Sequence, residues 1–519
     1  MRIALMQKAF ICADITSNLN TILEAVVEAK AKGASLLVTP YWAVTGMPLM
    51  QLLQHDFLFE AIEEALQKLL LVEGIGIVLS YPKREKSGIK SCQSIIHEGK
   101  LIYQVTRPLS EEAVSTALPT FRWEGLTIGI KQDNFSRAME SVQSVDIMLL
   151  QFTEPFYAEI GQARLERAYS ESSQLPIPIL ATVPLGANDQ YLYDGGSFAL
   201  DDRGLCQFQA TMFGNGVHCL DYIPGKGWGA FLGIESPKRI ALLYQAVVFS
   251  LKEYMRKNQF TRVCLGLSGG IDSALVLALA CEAVGAESCE VFLMPSQYTS
   301  SISNELALKL VRTLKVKYHV VPIQSIVAEF SHALQERFSG LPEDVTEENL
   351  QARTRGVLLM ALSNKTGALL LCTGNKSEEA VGYSTLYGDT NGGFAPIKDL
   401  YKTEVYEMAY WLNEVKGREI IPGEIIKRKP TAELKFNQTD QDALPEYTYL
   451  DKVLKLILEN KSLQDLVQAG YDQTIVIDIM KRVRSSEFKR QQGVLGPQLS
   501  KRSFGREWQY PITHLDVNF

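Results

Sequence analysis

Histidine is scarce in this chain, six of 519 residues, and the eight cysteines form no Cys-x-x-Cys pair. A zinc finger or ribbon is built from such pairs and histidines, so a structural zinc site is not expected. Scattered cysteines likewise count against a disulfide framework and place the chain in a reducing, cytoplasmic setting. A basic surplus is also missing: 52 Lys and Arg stand against 59 Asp and Glu, a net charge of −7. That leaves no basic stripe for a nucleic acid. No uncharged apolar run reaches the roughly 18 residues of a membrane span, so no membrane partner is expected. The first residues, Met1 to Gln7, read as a strand and lack the apolar region and cleavage site of a signal peptide.

What the chain does have is core-forming material. Apolar residues make up 46% and charged residues 21%, the balance of a globular protein. The length allows roughly two to four domains. Residues 1–225 alternate short apolar runs (3–7, 35–39, 75–80, 126–130, 146–151, 179–183) with helical stretches such as 18–32. That alternation predicts an α/β sandwich. Residues 226–237 open on Lys226-Gly227-Trp228-Gly229 and read as a glycine-rich linker. From 238 to 519 the order is helix (238–258), strand (262–267), glycine loop, helix (273–284), strand (289–294), helix (303–314), strand (319–322). This is a doubly wound α/β pattern. Residues 335–348 are acidic and polar and read as a mobile loop.

The loop Gly266-Leu267-Ser268-Gly269-Gly270-Ile271-Asp272-Ser273 carries the chemistry. Glycines let a backbone approach phosphate oxygens, and the N–H groups of the following helix hold the anion. Ser268 and Ser273 add hydroxyl donors. Asp272 beside a phosphate is repulsive unless Mg²⁺ lies between them. Two glycines in a strand–turn–helix are common. Here the strand, the glycines, the acid and the serine all fall in order.

The loop resembles the PP-loop of the adenine-nucleotide hydrolase-like ligases. It lacks the lysine before Ser/Thr that a Walker A loop needs. Further blocks narrow the resemblance: Met294 to Ser301, Glu348 to Arg355, Leu371 to Glu378, Gly382 to Asp389, Lys398 to Thr403, and Lys429-Pro430-Thr431-Ala432-Glu433-Leu434. In that order they are similar to the NAD⁺ synthetase family over nearly all of 236–519. The resemblance implies that 266–273 bind ATP phosphates and that Asp272 and Glu378 hold Mg²⁺. Thr373, Lys402 and Thr431 would contact ATP. Asn349, Tyr383, Asp389 and Lys489 would touch deamido-NAD⁺, with Glu378 beside them. Asp389 would also position ammonium or take its proton. Lys376, Lys402, Lys489, Arg490, Lys501 and Arg502 could offset the phosphates. Taken singly, Lys501 and Arg502 read equally as solvated surface charges, and Asn349 and Tyr383 as capping or packing residues.

Residues 1–225 resemble the nitrilase-like amidase domain fused to glutamine-dependent NAD⁺ synthetases, on Gly33 to Pro40, Ala43 to Gly46 and Tyr193 to Phe198. That domain hydrolyses glutamine with a cysteine nucleophile, a glutamate base and an oxyanion-holding lysine. The matching positions here hold Lys131 (in Ile130-Lys131-Gln132-Asp133), Tyr41 and Arg107. Glu154 stands where a serine is frequent. A lysine acyl-enzyme would be an amide too stable to turn over. A tyrosine with a reference pKa of about 10 is a poor base. Arginine keeps the charge but not the lysine geometry. One-residue slips of alignment do not restore the site, because no cysteine occurs between Cys92 and Cys206.

The expectation is therefore a two-domain NAD⁺ synthetase whose amidase domain is a pseudo-glutaminase. It would act on deamido-NAD⁺, ATP and ammonia, as a homo-oligomer of at least two copies, with an external ammonia donor left open. The alternatives are a glutamine-dependent synthetase with non-standard glutaminase residues, a non-enzymatic scaffold, an amidase acting on another small amide, and the GMP or asparagine synthetases that share the loop.

Overall fold

The computed structural model describes residues 1–109, 118–132, 145–174, 176–229 and 237–513. The chain forms two compact units, Met1–Pro237 and Lys238–Phe519.

In the first unit a seven-stranded sheet runs in the order Gly227–Gly229, Gly216–Ile223, Arg2–Gln7, Leu36–Val38, Gly76–Glu85, Gly88–His97, Lys100–Pro108. A six-stranded sheet runs Cys206–Gln209, Phe198–Leu200, Ile179–Thr182, Ile147–Gln151, Leu126–Gln132, Thr120–Trp123. Alternating side chains divide each strand between two cores. Ile3, Leu5, Val38, Val78, Ile128, Ile130 and Leu149 fill the space between the sheets. Ala4, Met6, Leu37, Ile77 and Leu79 pack on the other face of the first sheet with Leu19, Ile22, Leu58 and Ile62. Those four belong to the helices Ile15–Ala31 and Asp56–Leu70. Met148, Leu150 and Ala181 meet Ala168 of the helix Ile160–Gln174. The result is an α/β/β/α sandwich, as the sequence predicts.

The expected linker is corrected at its start. Residues 227–229 extend the first sheet, with Trp228 opposite Tyr222. Trp228 is buried and donates its indole N–H to the Leu200 carbonyl at 2.8 Å. Glycine content suggests a linker, but one tryptophan with a buried partner outweighs it. Residues 230–236 lie outside the described residues, as does Asp133.

The second unit is built on a four-stranded parallel sheet ordered Lys317–Val320, Cys289–Leu293, Val263–Gly266, Leu369–Leu370. Chain order thus reverses between Val263–Gly266 and Leu369–Leu370, and ligands of open α/β sheets sit at such switch points, beyond the carboxyl ends of the strands. The helix Ile271–Val284 is buried along most of its length, which explains its nearly all-apolar sequence. The last predicted strand lies slightly earlier than expected, at Lys317–Val320. The predicted mobile loop 335–348 is corrected too, since the helix Val345–Thr366 begins inside it. Asp344 accepts from the Thr346 N–H at 2.7 Å, and Glu347 accepts from the Asp344 N–H at 2.9 Å. That capping box turns an acidic, polar stretch into a helix start.

Candidate active site

The glycine loop joins the strand Val263–Gly266 to the helix Ile271–Val284, with Gly270 as helix N-cap. Gly269 has φ +83°, and a Cβ there would lie 2.3 Å from the Ser303 carbonyl oxygen. Only glycine fits both conditions. Inside the loop, Ser268 Oγ accepts from the Gly270 N–H at 3.2 Å and lies 3.1 Å from Ser273 Oγ. The Ser273 hydroxyl also takes the Ser268 N–H at 3.3 Å. These bonds shape a cradle of backbone donors at a helix start.

Beside the cradle lies a charged cluster assembled from four distant segments. Lys402, almost wholly buried, donates to Asp272 Oδ2 at 2.6 Å and to Glu378 Oε1 at 3.0 Å. Asp272 Oδ1 accepts from Asn375 Nδ2 at 2.9 Å. Asn375 also caps the helix Lys376–Val381, taking the Glu378 N–H at 3.1 Å, so one side chain sets both carboxylates. Lys402 is placed by its own N–H, donated to Ser377 Oγ at 2.9 Å. Asp440 and Tyr447 complete the cluster. Tyr447 donates to Asp440 Oδ2 at 2.8 Å, and its ring lies 5.2 Å from Lys402 Nζ. Burial raises the Glu378 and Asp440 carboxyls above their ordinary range, against the pull of Lys402. Three carboxylates here share one lysine. Among the described residues no group of three or more His, Cys, Asp or Glu could hold a metal ion on its own. Two carboxylate oxygens nevertheless suit Mg²⁺, a hard ion that fills its remaining positions with water and phosphate. The surplus negative charge fits a divalent cation as well.

A cavity of about 440 Å³ opens at the start of the glycine loop. Gly266, Leu267, Ser268 and Thr373 line one part, at the switch point; Asn349, Tyr383, Asp389 and Lys489 line another. The structure thus gathers eight of the predicted residues on one cavity, whereas Asp272, Glu378 and Lys402, which meet one another, are not among its lining residues. Asn349 accepts from the Thr385 hydroxyl at 2.7 Å and Asp389 from the Thr385 N–H at 2.6 Å, so both shape the 382–389 turn. Lys489 spans the same turn, donating to the Gly382 and Ser384 carbonyls at 2.8 and 2.7 Å. Thr431 is set apart from these residues. It does not line the cavity; its hydroxyl donates to the Gln438 carbonyl at 2.6 Å and closes a loop. Lys376 and Arg490 are corrected as phosphate-offsetting charges. Each is buried in a structural pair, with Asp399 at 2.7 Å and Glu487 at 2.7 Å.

Sequence reasoning missed Asp440, Tyr447 and Arg355. Arg355 lines the cavity, donates to the Met294 carbonyl at 3.1 Å, and is pushed down to about 10 by burial. A basic residue on the inward face of a helix is the signal that points to it.

In the first unit, the hydroxyl of Ser91 meets neighbours of two of the altered positions, while Lys131 lies on another face. Ser91 Oγ accepts from the indole of Trp42 at 3.3 Å and from Gln132 Nε2 at 3.0 Å, and Ser91 pairs with Arg107 across strands. Tyr41 stacks on Trp42 with centroids 5.0 Å apart. Lys131 pairs in register with Leu150, so strand alternation puts it on the face opposite Gln132. Burial lowers the Arg107 guanidinium below its ordinary value. Glu154 pairs with Arg167 Nη1 at 2.6 Å. Cys92 is fully buried with its thiol pushed up by burial, and Cys12 donates to the Pro48 carbonyl at 3.0 Å. Both have the settings of structural cysteines.

Residues 243–493 match the NAD synthase family. The glutamine-dependent NAD(+) synthetase of Acinetobacter baylyi is 35% identical over 531 residues, spanning 99% of this chain and 98% of that protein. Its counterpart from Xanthomonas campestris is 38% identical over 542 residues, spanning 99% and 97%. The solved glutamine-dependent NAD⁺ synthetase of Acinetobacter baumannii, in complex with ADP, superposes with a TM-score of 0.78 at 32% identity over 98% of both chains. An α/β/β/α sandwich followed by a doubly wound α/β domain, with these relatives, defines a ligase of NAD biosynthesis. The chain belongs to the two-domain NAD⁺ synthetase family, whose substrates are deamido-NAD⁺, ATP and ammonia or glutamine.

Proposed function

We propose that this NAD⁺ synthetase amidates deamido-NAD⁺ with free ammonia, its first unit being a pseudo-glutaminase. One observation carries the reading: Lys131, Tyr41 and Arg107 stand where the family's nucleophile, base and lysine are expected, and no cysteine lies between Cys92 and Cys206. In the second unit, the nicotinate carboxylate attacks the α-phosphorus of ATP, forming an acyl-adenylate and releasing pyrophosphate. Ammonia then attacks the acyl carbon, giving NAD⁺ and AMP. The backbone of 266–273 cradles the phosphates, with Thr373 beside them. Asp272 and Glu378 would hold Mg²⁺, which neutralises phosphate charge. Lys402 keeps the two carboxylates together. Asn349, Tyr383 and Asp389 face deamido-NAD⁺, and Lys489 acts by holding the 382–389 turn. Asp389, on the lining of the cavity, would receive a proton from ammonium.

The test is steady-state NAD⁺ formation with glutamine against an ammonium salt. Ammonium should support turnover while glutamine supports less than about a hundredth of it, a loss in line with deleting a nucleophile. Efficient use of glutamine, or glutamate release by the protein, establishes the second reading instead. That second reading draws nitrogen from glutamine through non-standard residues, and it is supported by relatives named glutamine-dependent. Lys131→Ala should leave ammonium-dependent kcat within about twofold, since nothing in the chemistry uses it. A tenfold loss would place Lys131 in the reaction.

A further inference from the structure

Glu433 is not among the residues assigned above, yet it lines the cavity in an uncommon backbone conformation. Its φ is +51°, in the left-handed region that non-glycine residues rarely occupy. Its carboxylate reaches the first turn of the helix Ser301–Leu314. Oε1 accepts from the hydroxyls of Ser300 and Ser303 at 2.8 and 2.7 Å and from Arg428 Nη2 at 2.8 Å. Oε2 takes the Ser300 N–H at 3.4 Å. Ser303 is also the residue whose carbonyl leaves no room for a Cβ at Gly269. One helix turn therefore supports the phosphate loop on one side and Glu433 on the other.

The segment around Glu433 is fastened at its far end too. The Gln438 side chain takes the Leu434 N–H at 2.8 Å and donates to Glu348 Oε2 at 3.0 Å. Gln351 donates to the Leu434 carbonyl at 2.9 Å. Glu348 and Gln351 lie on the helix that carries Asn349. Residues 428–438 thus form a strap from the helix behind the phosphate loop to the helix bearing Asn349, with Ala432, Glu433, Leu434 and Gln438 walling the cavity.

We propose that Glu433 is a positioning residue for the ATP half-reaction. Its carboxylate seats the strap on the first turn of Ser301–Leu314 and, through Ser303, fixes the phosphate loop against that turn. The left-handed backbone at Glu433 aims the carboxylate at the serines, and the three donors to Oε1 hold that conformation in place. The proposal rests on the phosphate loop binding ATP, as argued above.

The test uses the full-length protein with ATP, Mg²⁺, deamido-NAD⁺ and ammonium. Glu433→Gln should raise KM for ATP about tenfold, the scale of one charge-assisted hydrogen bond, and leave KM for ammonium unchanged. Glu433→Asp should recover part of the loss. Glu433→Gly suits the backbone but lacks the carboxylate, and should do no better than glutamine. In a double-mutant cycle, Glu433→Gln and Ser303→Ala should be non-additive in KM for ATP. An unchanged KM for ATP in Glu433→Gln, or a loss confined to kcat with a lowered melting temperature, overturns the proposal. Asp272→Ala is the control. If it too leaves turnover intact, the ATP reading of the loop has failed; if it alone is inactive, only the role of Glu433 has.

Discussion

Asp272→Ala should lower NAD⁺ formation by about a hundredfold to a thousandfold, the scale seen when a group aimed at developing charge is removed from an active site. Asp272 receives Lys402 and Asn375 at 2.6 and 2.9 Å, and those contacts hold it beside the phosphate cradle. Without it, Lys402 retains Glu378 alone, and the Asn375 amide loses its acceptor. Stability should respond far less. Asp272 is one of three carboxylates crowded around one lysine, and deleting it relieves like-charge repulsion as it removes an ion pair. The melting temperature should therefore move by only about 4 °C or less. The measurement is pyrophosphate release from ATP with deamido-NAD⁺. A near-normal rate at saturating Mg²⁺ refutes the role of Asp272 in holding metal and phosphate.

Gly269→Ala should do the opposite and damage the fold as well as the activity. Two costs combine: a left-handed conformation at φ +83°, and a Cβ placed 2.3 Å from the Ser303 carbonyl. Together they should cost roughly 2–4 kcal/mol, read as a shift in the denaturation midpoint. Gly470→Ala separates the two costs. Gly470 has φ +91° with nothing within 4 Å of a built Cβ, so its substitution carries the conformational term alone, about 1 kcal/mol. Equal losses at the two positions would show that the contact with Ser303 is soft. Gly269→Ala should also weaken ATP, because the loop can escape the contact only by moving away from the helix turn.

The phosphate loop was legible because it is local: strand, turn and helix lie within one short window, and each residue type has a physical reason to be there. Asn349, Thr373 and Asp389 were reached by family resemblance, and the cavity they line assembles only in three dimensions. Asp440 and Tyr447 escaped notice because an aspartate followed seven residues later by a tyrosine has no meaning until Lys402 is placed beside them. Thr431 lies in a recognised block, and only the structure shows its hydroxyl bonded to the Gln438 carbonyl. At 227–229 local composition was outvoted by a distant acceptor, the Leu200 carbonyl. The acidic stretch before Val345 carried its capping box in plain sight, but overall polarity masked the Asp-x-x-Glu spacing.

The reversal of strand order has a consequence in time. Residues 263 and 264 find register partners at 369 and 370, so one wall of the nucleotide site is made long after the loop it faces. At about 5–20 residues per second of synthesis, that interval is roughly 5 to 20 s. During it the glycine loop can pair with the strand Cys289–Leu293 and acquire its helix, while Thr373, Glu378 and Lys402 are still unmade. A growing chain therefore has the shape of the phosphate loop well before it has the charges that make it useful. Nucleotide should begin to protect the nascent chain only once Lys402 and Asp440 have followed.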